Sequence, residues 1–144
     1  MFSFDTSFLT PLIRVEATTA HIEQFVGSLP RDRLATSHWT RVEFSSVLGR
    51  EVRMGRLDPR QAAAEDARFE NLVGTSFVLL LPTAGDYGLA KRYIGDFSTG
   101  LRGPDALHLA VAANNAAEAI YSLDTGLLAA GRAWGLPMSA GIEE

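Results

Sequence analysis

The sequence predicts an α/β fold with a mainly parallel central sheet. Short apolar segments that suit strands alternate with longer segments that suit helices, and this alternation is typical of parallel sheets covered by helices. A length of 144 residues fits one domain, which we expect to cover residues 1–144. The chain has no cysteine, which excludes a disulfide framework, a thiolate zinc site and a cysteine nucleophile.

The amino-terminal half of the chain predicts two strands and three helices. Pro30 ends a helix, Ser37 suits the N-cap of the next helix, and Asp58 followed by Pro59 is a strong signal for a helix start. The expected elements are a strand at 2–5, a helix from about 7 to 29 with a break near Pro11, a strand at 34–36, a helix from Trp39 to about Gly55 and a helix from Asp58.

The carboxyl-terminal half continues the alternation. Segment 77–81 is compatible with either the end of a helix or a strand, and Gly135 ends the last helix. The remaining expected elements are a helix from 83 to about 97, a loop at 100–103, a helix at 104–114, a buried strand at 119–123, a helix at 125–134 and a strand at 136–139.

Charge and hydropathy limit the location and partners of the protein. The most apolar runs, 77–81 and 106–113, are too short to span a bilayer, and the chain starts without the basic residues of a secretory signal. We therefore expect a soluble cytoplasmic protein without a membrane partner. The formal net charge of −4 by itself argues against a nucleic-acid partner. If four of the 17 acids belong to a metal site, however, the remaining 13 acids match the 13 basic residues and the rest of the surface is neutral.

Two aspartates occupy matching positions after predicted strands. Asp5 ends the first strand, and Asp124 follows the buried strand at 119–123. Each aspartate could simply cap the next helix. Ligands in open α/β sheets bind at the carboxyl ends of the strands, however, so two acids at this edge favour a shared site.

Two further acids lie on predicted helices. The positions three and four residues from Glu43 hold no cation, so this carboxylate has no local ion-pair partner and shares a helix face with apolar residues. Asp105 stands in the first turn of an apolar helix, where the helix dipole also favours an acid. If the start of that helix points at the sheet edge, Asp105 lies near the other acids.

Polar residues beside the acids are weaker candidates for substrate binding. His108 lies one turn after Asp105 and could contact substrate or orient that carboxylate, although such a histidine is more often a satisfied core or rim residue. Thr6 and Thr125 flank acids and could instead serve as helix caps. Arg102 could contact a phosphate or remain a solvated loop residue.

A cluster of acids suits hard divalent cations. Mg²⁺ and Mn²⁺ prefer carboxylate and water oxygens, and bound cations remove the mutual repulsion of the acids. Two cations about 3.5–4 Å apart can clamp a phosphodiester and activate water. The three histidines are too dispersed for a zinc site. The residues expected to bind metal and to act in catalysis are Asp5, Glu43, Asp105 and Asp124.

Four motifs resemble the PIN-domain family in the form found in VapC toxins. They lie in order at 4–7 (FDTS), 39–44 (WTRVEF), 101–110 (LRGPDALHLA) and 123–136, so the resemblance covers essentially the whole chain. It implies a Rossmann-like three-layer α/β/α sandwich whose metal-site acids are the same four residues. Thr125 and Gly126 stand where some relatives have a further acid or amide, and a one-metal resting state is compatible with this difference.

The resemblance also implies an activity and partners. The activity is that of a Mg²⁺- or Mn²⁺-dependent endoribonuclease, a hydrolase that acts on tRNA or another structured RNA as the toxin of a type II toxin–antitoxin pair. The partners are a small VapB-like antitoxin and a second copy of the chain in a homodimer, with DNA bound only through the antitoxin. The predicted helices between 39 and 77 carry Val47, Phe69 and Val73 and are candidates for a groove that accepts an antitoxin helix. Ordinary core packing accounts for most of these positions.

Three other classes were weighed against this interpretation. A haloacid-dehalogenase-like phosphatase needs a second aspartate two residues after Asp5, where this chain has Ser7. A response-regulator receiver needs a late lysine, and no lysine follows Lys91. A catalytically silent PIN-like protein-binding module has usually lost acids, whereas this chain keeps all four, so this module remains the alternative to a nuclease.

Overall fold

The computed structural model describes residues 1–142 and has the α/β architecture that the alternating pattern predicts. The strands are β1 (Phe2–Phe4), β2 (Leu34–Ser37), β3 (Val78–Leu80), β4 (Ala119–Tyr121) and β5 (Met138–Ser139). They form one parallel sheet in the order β3-β2-β1-β4-β5. Phe4 pairs with Tyr121, so the two central strands β1 and β4 end at the same level.

Helices cover both faces of this sheet. They are α1 (Thr6–Leu9), α2 (Thr19–Ser28), α3 (Trp39–Arg53), α4 (Pro59–Ser76), α5 (Ala84–Gly95), α6 (Gly103–Asn114) and α7 (Thr125–Ala133). One apolar core joins the sheet to α1, α2, α3 and α4, and a second core joins it to α5, α6 and α7. The result is the three-layer α/β/α arrangement that we expected. Among the described residues, no helix is both long and apolar enough to cross a membrane.

Aromatic packing dominates the first core. The rings of Phe44 on α3 and Phe69 on α4 are stacked with centroids 4.2 Å apart, and both side chains are fully buried. Val73, one turn further along α4, is also fully buried. Core packing, the interpretation expected for most of these positions, is therefore confirmed for Phe69 and Val73, and these two side chains do not line a groove for an antitoxin helix.

Several element boundaries differ from the prediction. The expected helix from 7 to 29 is split into α1, a 3-10 turn at Thr10–Leu12 and α2, with no regular structure at 13–18. The hydroxyl of Thr19 donates to the carbonyl of Pro11 and accepts from the amide of Glu16, so side-chain bonds replace the pairs of a continuous helix. The ambiguous segment 77–81 forms a strand, and the 83–97 helix stops at Gly95.

Helix starts are closer to the prediction. Asp58 caps α4 with a reciprocal capping box formed with Gln61. Ser37 is the last residue of β2, and His38 occupies the N-cap position of α3. The hydroxyl of Ser37 still accepts a hydrogen bond from the amide of Trp39 at 3.0 Å, so it satisfies one of the free amides at the start of α3.

The strand order creates a crevice at the centre of the sheet. From β1 the chain builds outward through β2 and β3, and it then returns to place β4 on the opposite side of β1. The connections that leave β1 and β4 therefore diverge at the carboxyl ends of these strands. Open α/β sheets bind ligands at such a switch point, and Asp5 and Asp124 lie directly beyond it.

Candidate functional site

Asp5 lies at the base of the crevice, where β1 passes into α1. One carboxylate oxygen, Oδ1, accepts from the amide of Phe8 at 3.0 Å and from the hydroxyl of Ser7 at 2.8 Å. The other oxygen, Oδ2, accepts from the hydroxyl of Ser122 at 2.7 Å. The residue is only 5% exposed, and this burial raises the pKa of Asp5 although the hydrogen bonds act in the opposite direction.

Glu43 on α3 is held by two groups from other parts of the chain. The hydroxyl of Thr6 donates to its Oε1 at 2.8 Å, and Nε2 of His108 on α6 contacts the same oxygen. Burial opposes ionisation of Glu43, but the hydrogen bond and the charge of His108 hold the pKa of Glu43 below its usual value. Burial likewise opposes protonation of His108, yet Glu43, Asp5 and Asp105 raise the pKa of His108.

Asp105 and Asp124 complete the acidic cluster. Asp105 is half-buried in the first turn of α6. Burial raises the pKa of Asp105, and the nearby carboxylates of Asp124, Glu43 and Asp5 raise it further. Asp124 is exposed and caps α7, where its Oδ1 accepts from the amide of Leu127 at 3.0 Å. The capping interpretation of Asp124 is therefore correct, and it coexists with a place in the cluster.

The four acids line one pocket of about 400 Å³ at the switch point. Its wall comes from the start of α1, one face of α3 and the starts of α6 and α7. The lining residues are Asp5, Thr6, Ser7, Thr10, Trp39, Val42, Glu43, Ser46, Val47, Pro104, Asp105, His108 and Asp124. The structure thus brings together all four acids that the sequence singles out.

The weaker candidates have different positions. Thr6 and His108 line the pocket, but their polar atoms bind Glu43, so His108 positions Glu43 rather than Asp105. Arg102 is exposed and lies in an adjoining depression of about 230 Å³ that shares Asp105 and Asp124 with the pocket. Thr125 is exposed at the start of α7 and lines neither space.

Two features of the site were missed in the sequence. The first is Ser122, whose hydroxyl binds Asp5 and accepts from the amide of Asp124 at 3.0 Å. Its position at the end of β4 was the available signal. The second is the face of α3 beside Glu43, where Trp39 and Val47 also line the pocket. Their spacing of four residues from Glu43 already indicated a shared face.

The donor set fits a hard divalent cation better than any other ligand type. Between residues 1 and 142, no three acidic or imidazole side chains form a ready-made coordination shell. The acids nevertheless line one pocket, offer only oxygen ligands and lie close enough for neighbouring carboxylates to raise the pKa of Asp105. A cation such as Mg²⁺ would relieve this repulsion and would bind carboxylates and water with modest adjustment of their rotamers.

Solved structures show the same fold in bacterial and archaeal proteins. The toxin VapC20 of Mycobacterium tuberculosis, described as cleaving the sarcin–ricin loop, is 22% identical with a TM-score of 0.72, over 91% of this chain and 95% of that chain. PAE2754 of Pyrobaculum aerophilum is 29% identical with a TM-score of 0.63, over 90% of this chain and 78% of that chain. A toxin–antitoxin complex from Klebsiella pneumoniae is 19% identical with a TM-score of 0.67, over 100% of both chains.

Sequence comparison defines the family. A search of the curated proteins gave no match. The model of the PIN domain matches residues 3–133, which run from β1 to the end of α7 and include the four acids of the pocket. Its neighbours among solved structures are VapC- and FitB-type toxins of toxin–antitoxin complexes. This chain belongs to the PIN-domain family.

Proposed function

We propose that this chain is a Mg²⁺- or Mn²⁺-dependent endoribonuclease and the toxin of a toxin–antitoxin pair. The observation that carries the proposal is the pocket at the switch point, which Asp5, Glu43, Asp105 and Asp124 line together. Membership of the PIN-domain family supports it, as does the likeness to a toxin described as cleaving the sarcin–ricin loop.

In this proposal the two pairs of acids have different roles. Asp5 and Asp105 are the direct cation ligands in this proposal, since their raised pKa values show carboxylates that gain most from a neighbouring positive charge. Glu43 and Asp124 complete the ligand set, directly or through water. A bound cation would neutralise the acids, polarise the phosphodiester and lower the pKa of a water molecule.

The protein's own groups fix the geometry of the reaction. Ser7 and Ser122 hold the Asp5 carboxylate from two sides, and Thr6 and His108 hold Glu43. A pocket carboxylate accepts the proton of the attacking water. The water oxygen bonds to phosphorus, the bond from phosphorus to the 3′ oxygen breaks, and the products carry a 5′-phosphate and a 3′-hydroxyl.

The partners follow from the same proposal. A small VapB-like antitoxin covers the pocket, two copies of the toxin form a homodimer, and DNA is bound only through the antitoxin. The similar Klebsiella pneumoniae structure is itself a toxin–antitoxin complex. Affinity purification of the tagged chain from its native host should recover a small partner, and recovery of the chain alone would contradict this part.

The activity is tested with purified protein and with induced expression. The wild-type protein with Mg²⁺ should produce discrete RNA fragments with 5′-phosphates, and its expression alone should arrest bacterial growth. Asp105→Asn should abolish both effects. Asp32→Asn makes the same chemical change in an exposed residue of the 3-10 turn before β2, away from the pocket, and should behave as wild type. Growth arrest that survives Asp105→Asn without RNA fragments would favour the protein-binding module.

A further inference from the structure

The acidic pocket has an apolar wall that phosphodiester hydrolysis does not require. On α3, Trp39, Val42 and Val47 line the pocket beside Glu43. Val42 lies three residues after Trp39, and Trp39, Glu43 and Val47 follow one another at a spacing of four residues. The apolar side chains therefore form a stripe along the side of the helix that carries the acid. Divalent cations take oxygen ligands, and an indole and two valines add nothing to such a site. The stripe therefore points to a second, apolar part of the ligand.

Trp39 is the most informative residue of this wall. Its indole is half-buried and packs in part against the core formed with α5, α6 and α7. Its Nε1 is buried without a hydrogen-bond partner, and no other side-chain nitrogen or oxygen in residues 1–142 shares this state. An N–H group without an acceptor destabilises the ligand-free protein. A small rotation of the ring at the edge of the pocket would let this group donate to a ligand.

Val42 extends the same surface toward solvent. It is 56% exposed, one turn from Trp39, and lies beside the pocket rather than in the core. A helix rises about 1.5 Å per residue, so Trp39 lies about 6 Å along the axis from Glu43. This separation is close to the distance between a phosphate and the base of an adjacent nucleotide in a single strand.

We propose that Trp39 and Val42 form a subsite for an unpaired nucleobase next to the scissile phosphate. This inference rests on the proposed ribonuclease function and adds to it the two residues that contact the base beside the cleaved bond. Single-stranded bases stack on aromatic side chains, whereas paired bases do not expose their faces. Nε1 of Trp39, which lies in the plane of the ring, donates to a carbonyl of the neighbouring base when the base is seated.

The competing occupant is a basic peptide whose apolar side chains cover the same wall while its cations meet the acids. The two occupants are distinguished by a ligand that keeps the phosphates but lacks the bases. Two hexamers serve as probes, a hexamer of adenosine and its abasic ribose-phosphate counterpart, both with Ca²⁺ in place of Mg²⁺. Binding is followed by the fluorescence anisotropy of a dye attached to the 5′ end of each hexamer, a signal that remains when either tryptophan of the chain, Trp39 or Trp134, is replaced.

The expected result is a loss of affinity that depends on the bases. Trp39→Ala should weaken binding of the adenosine hexamer by about 5- to 150-fold, the usual range for one base–aromatic stack, and should leave the abasic hexamer unchanged. Trp39→Phe should recover most of this affinity. Trp134→Ala is the matched control, because this indole packs on Tyr93 at the far end of α7 and should have no effect. In cleavage assays Trp39→Ala should raise KM and leave kcat nearly unchanged.

Folding of each variant is checked by thermal unfolding. If Trp39→Ala does not fold, Val42→Ser tests the same surface at an exposed position and should weaken the adenosine hexamer alone. The subsite would be overturned if the substitution weakened binding of both hexamers equally or changed neither. It would also be overturned if the substitution weakened only the binding of a co-purified basic partner. Base-dependent binding without cleavage in Mg²⁺ would support the subsite and reject the nuclease. Cleavage with an unchanged KM in Trp39→Ala would reject the subsite alone.

Discussion

Replacing Asp5 with asparagine should stabilise the metal-free protein while abolishing RNA cleavage. The substitution removes a buried negative charge and keeps every hydrogen bond. Oδ1 of the new amide accepts from Phe8 and Ser7 as before, and its Nδ2 donates to the hydroxyl of Ser122. That hydroxyl can then donate to Ser7, which lies 3.2 Å away. The side chain of the variant therefore leaves no polar atom without a partner.

The direction of the effect follows from the raised pKa of Asp5. An acid with a higher pKa in the folded state binds its proton more tightly there. Its contribution to stability is fully present below the unfolded pKa and is lost as pH rises through the folded pKa. At pH 7.5, far above the unfolded pKa, folding of the wild-type protein must either bury the charge of Asp5 or bind a proton there, and the asparagine variant avoids both costs. A single stabilising substitution typically adds about 1 kcal/mol to the free energy of unfolding, which corresponds to a rise of about 3–4 °C in Tm for a chain of this length.

The assay is thermal unfolding of both proteins in EDTA at pH 7.5 and at pH 4. The variant should unfold at the higher temperature at pH 7.5, and the difference should nearly vanish at pH 4, close to the unfolded pKa of about 3.9. Excess Mg²⁺ should stabilise the wild-type protein and raise its Tm. At a Mg²⁺ concentration of a hundred times Kd, the free energy of unfolding should increase by about 2.7 kcal/mol, and the variant should change much less. A variant that is less stable than wild type in EDTA at pH 7.5 would refute the reasoning.

Three further changes test other parts of the structure. In EDTA, the wild-type Tm should fall as pH rises from about 6.5 through the folded pKa of His108, because this raised pKa stabilises the folded state only while the imidazole keeps its proton. The Tm of His108→Gln should not show this fall. Gly131→Ala should lower the free energy of unfolding in urea by about 1–3 kcal/mol, because a Cβ at this position lies 2.6 Å from Cγ of Met138. Gly27→Ala is the control, since Gly27 has open space around it, and this variant should be more stable by about 0.5–1 kcal/mol. Phe69→Ala should cost about 3–5 kcal/mol by the same measurement, and a loss below 1 kcal/mol would contradict its place in the core.

The strands and the acid positions could be predicted because they depend on local pattern and chain order. Parallel strands end at one edge of a sheet, so Asp5 and Asp124 had to share that edge once both strands were identified. The capping box at Asp58 was visible for the same local reason. The break between α1 and α2 was not, since it depends on a hydroxyl at Thr19 that bonds a carbonyl eight residues earlier.

Contacts between distant segments account for what sequence reasoning missed in the site. Spacing along a helix correctly showed that Glu43 has no local cationic partner, but it could not identify His108, which lies 65 residues later on another helix. Amphipathic spacing also could not distinguish a helix face that packs on the core from one that accepts a partner. Phe69 and Val47 have the same apolar character, yet the first is buried and the second lines the pocket.

The charges around the pocket give the strongest argument for a cationic ligand. Four carboxylates line it, and the imidazole of His108, which is cationic when protonated, contacts one of them, Glu43. Within residues 1–142, the arginines that form ion pairs do so with other acids, such as Arg41 with Glu70 and Arg14 with Glu65. One imidazole cannot neutralise four acids, and burial of Asp5 makes the remaining charge more costly. The fold therefore gathers acids at the switch point whose negative charge is relieved either by protonation, which the raised pKa values of Asp5 and Asp105 favour, or by a cationic ligand.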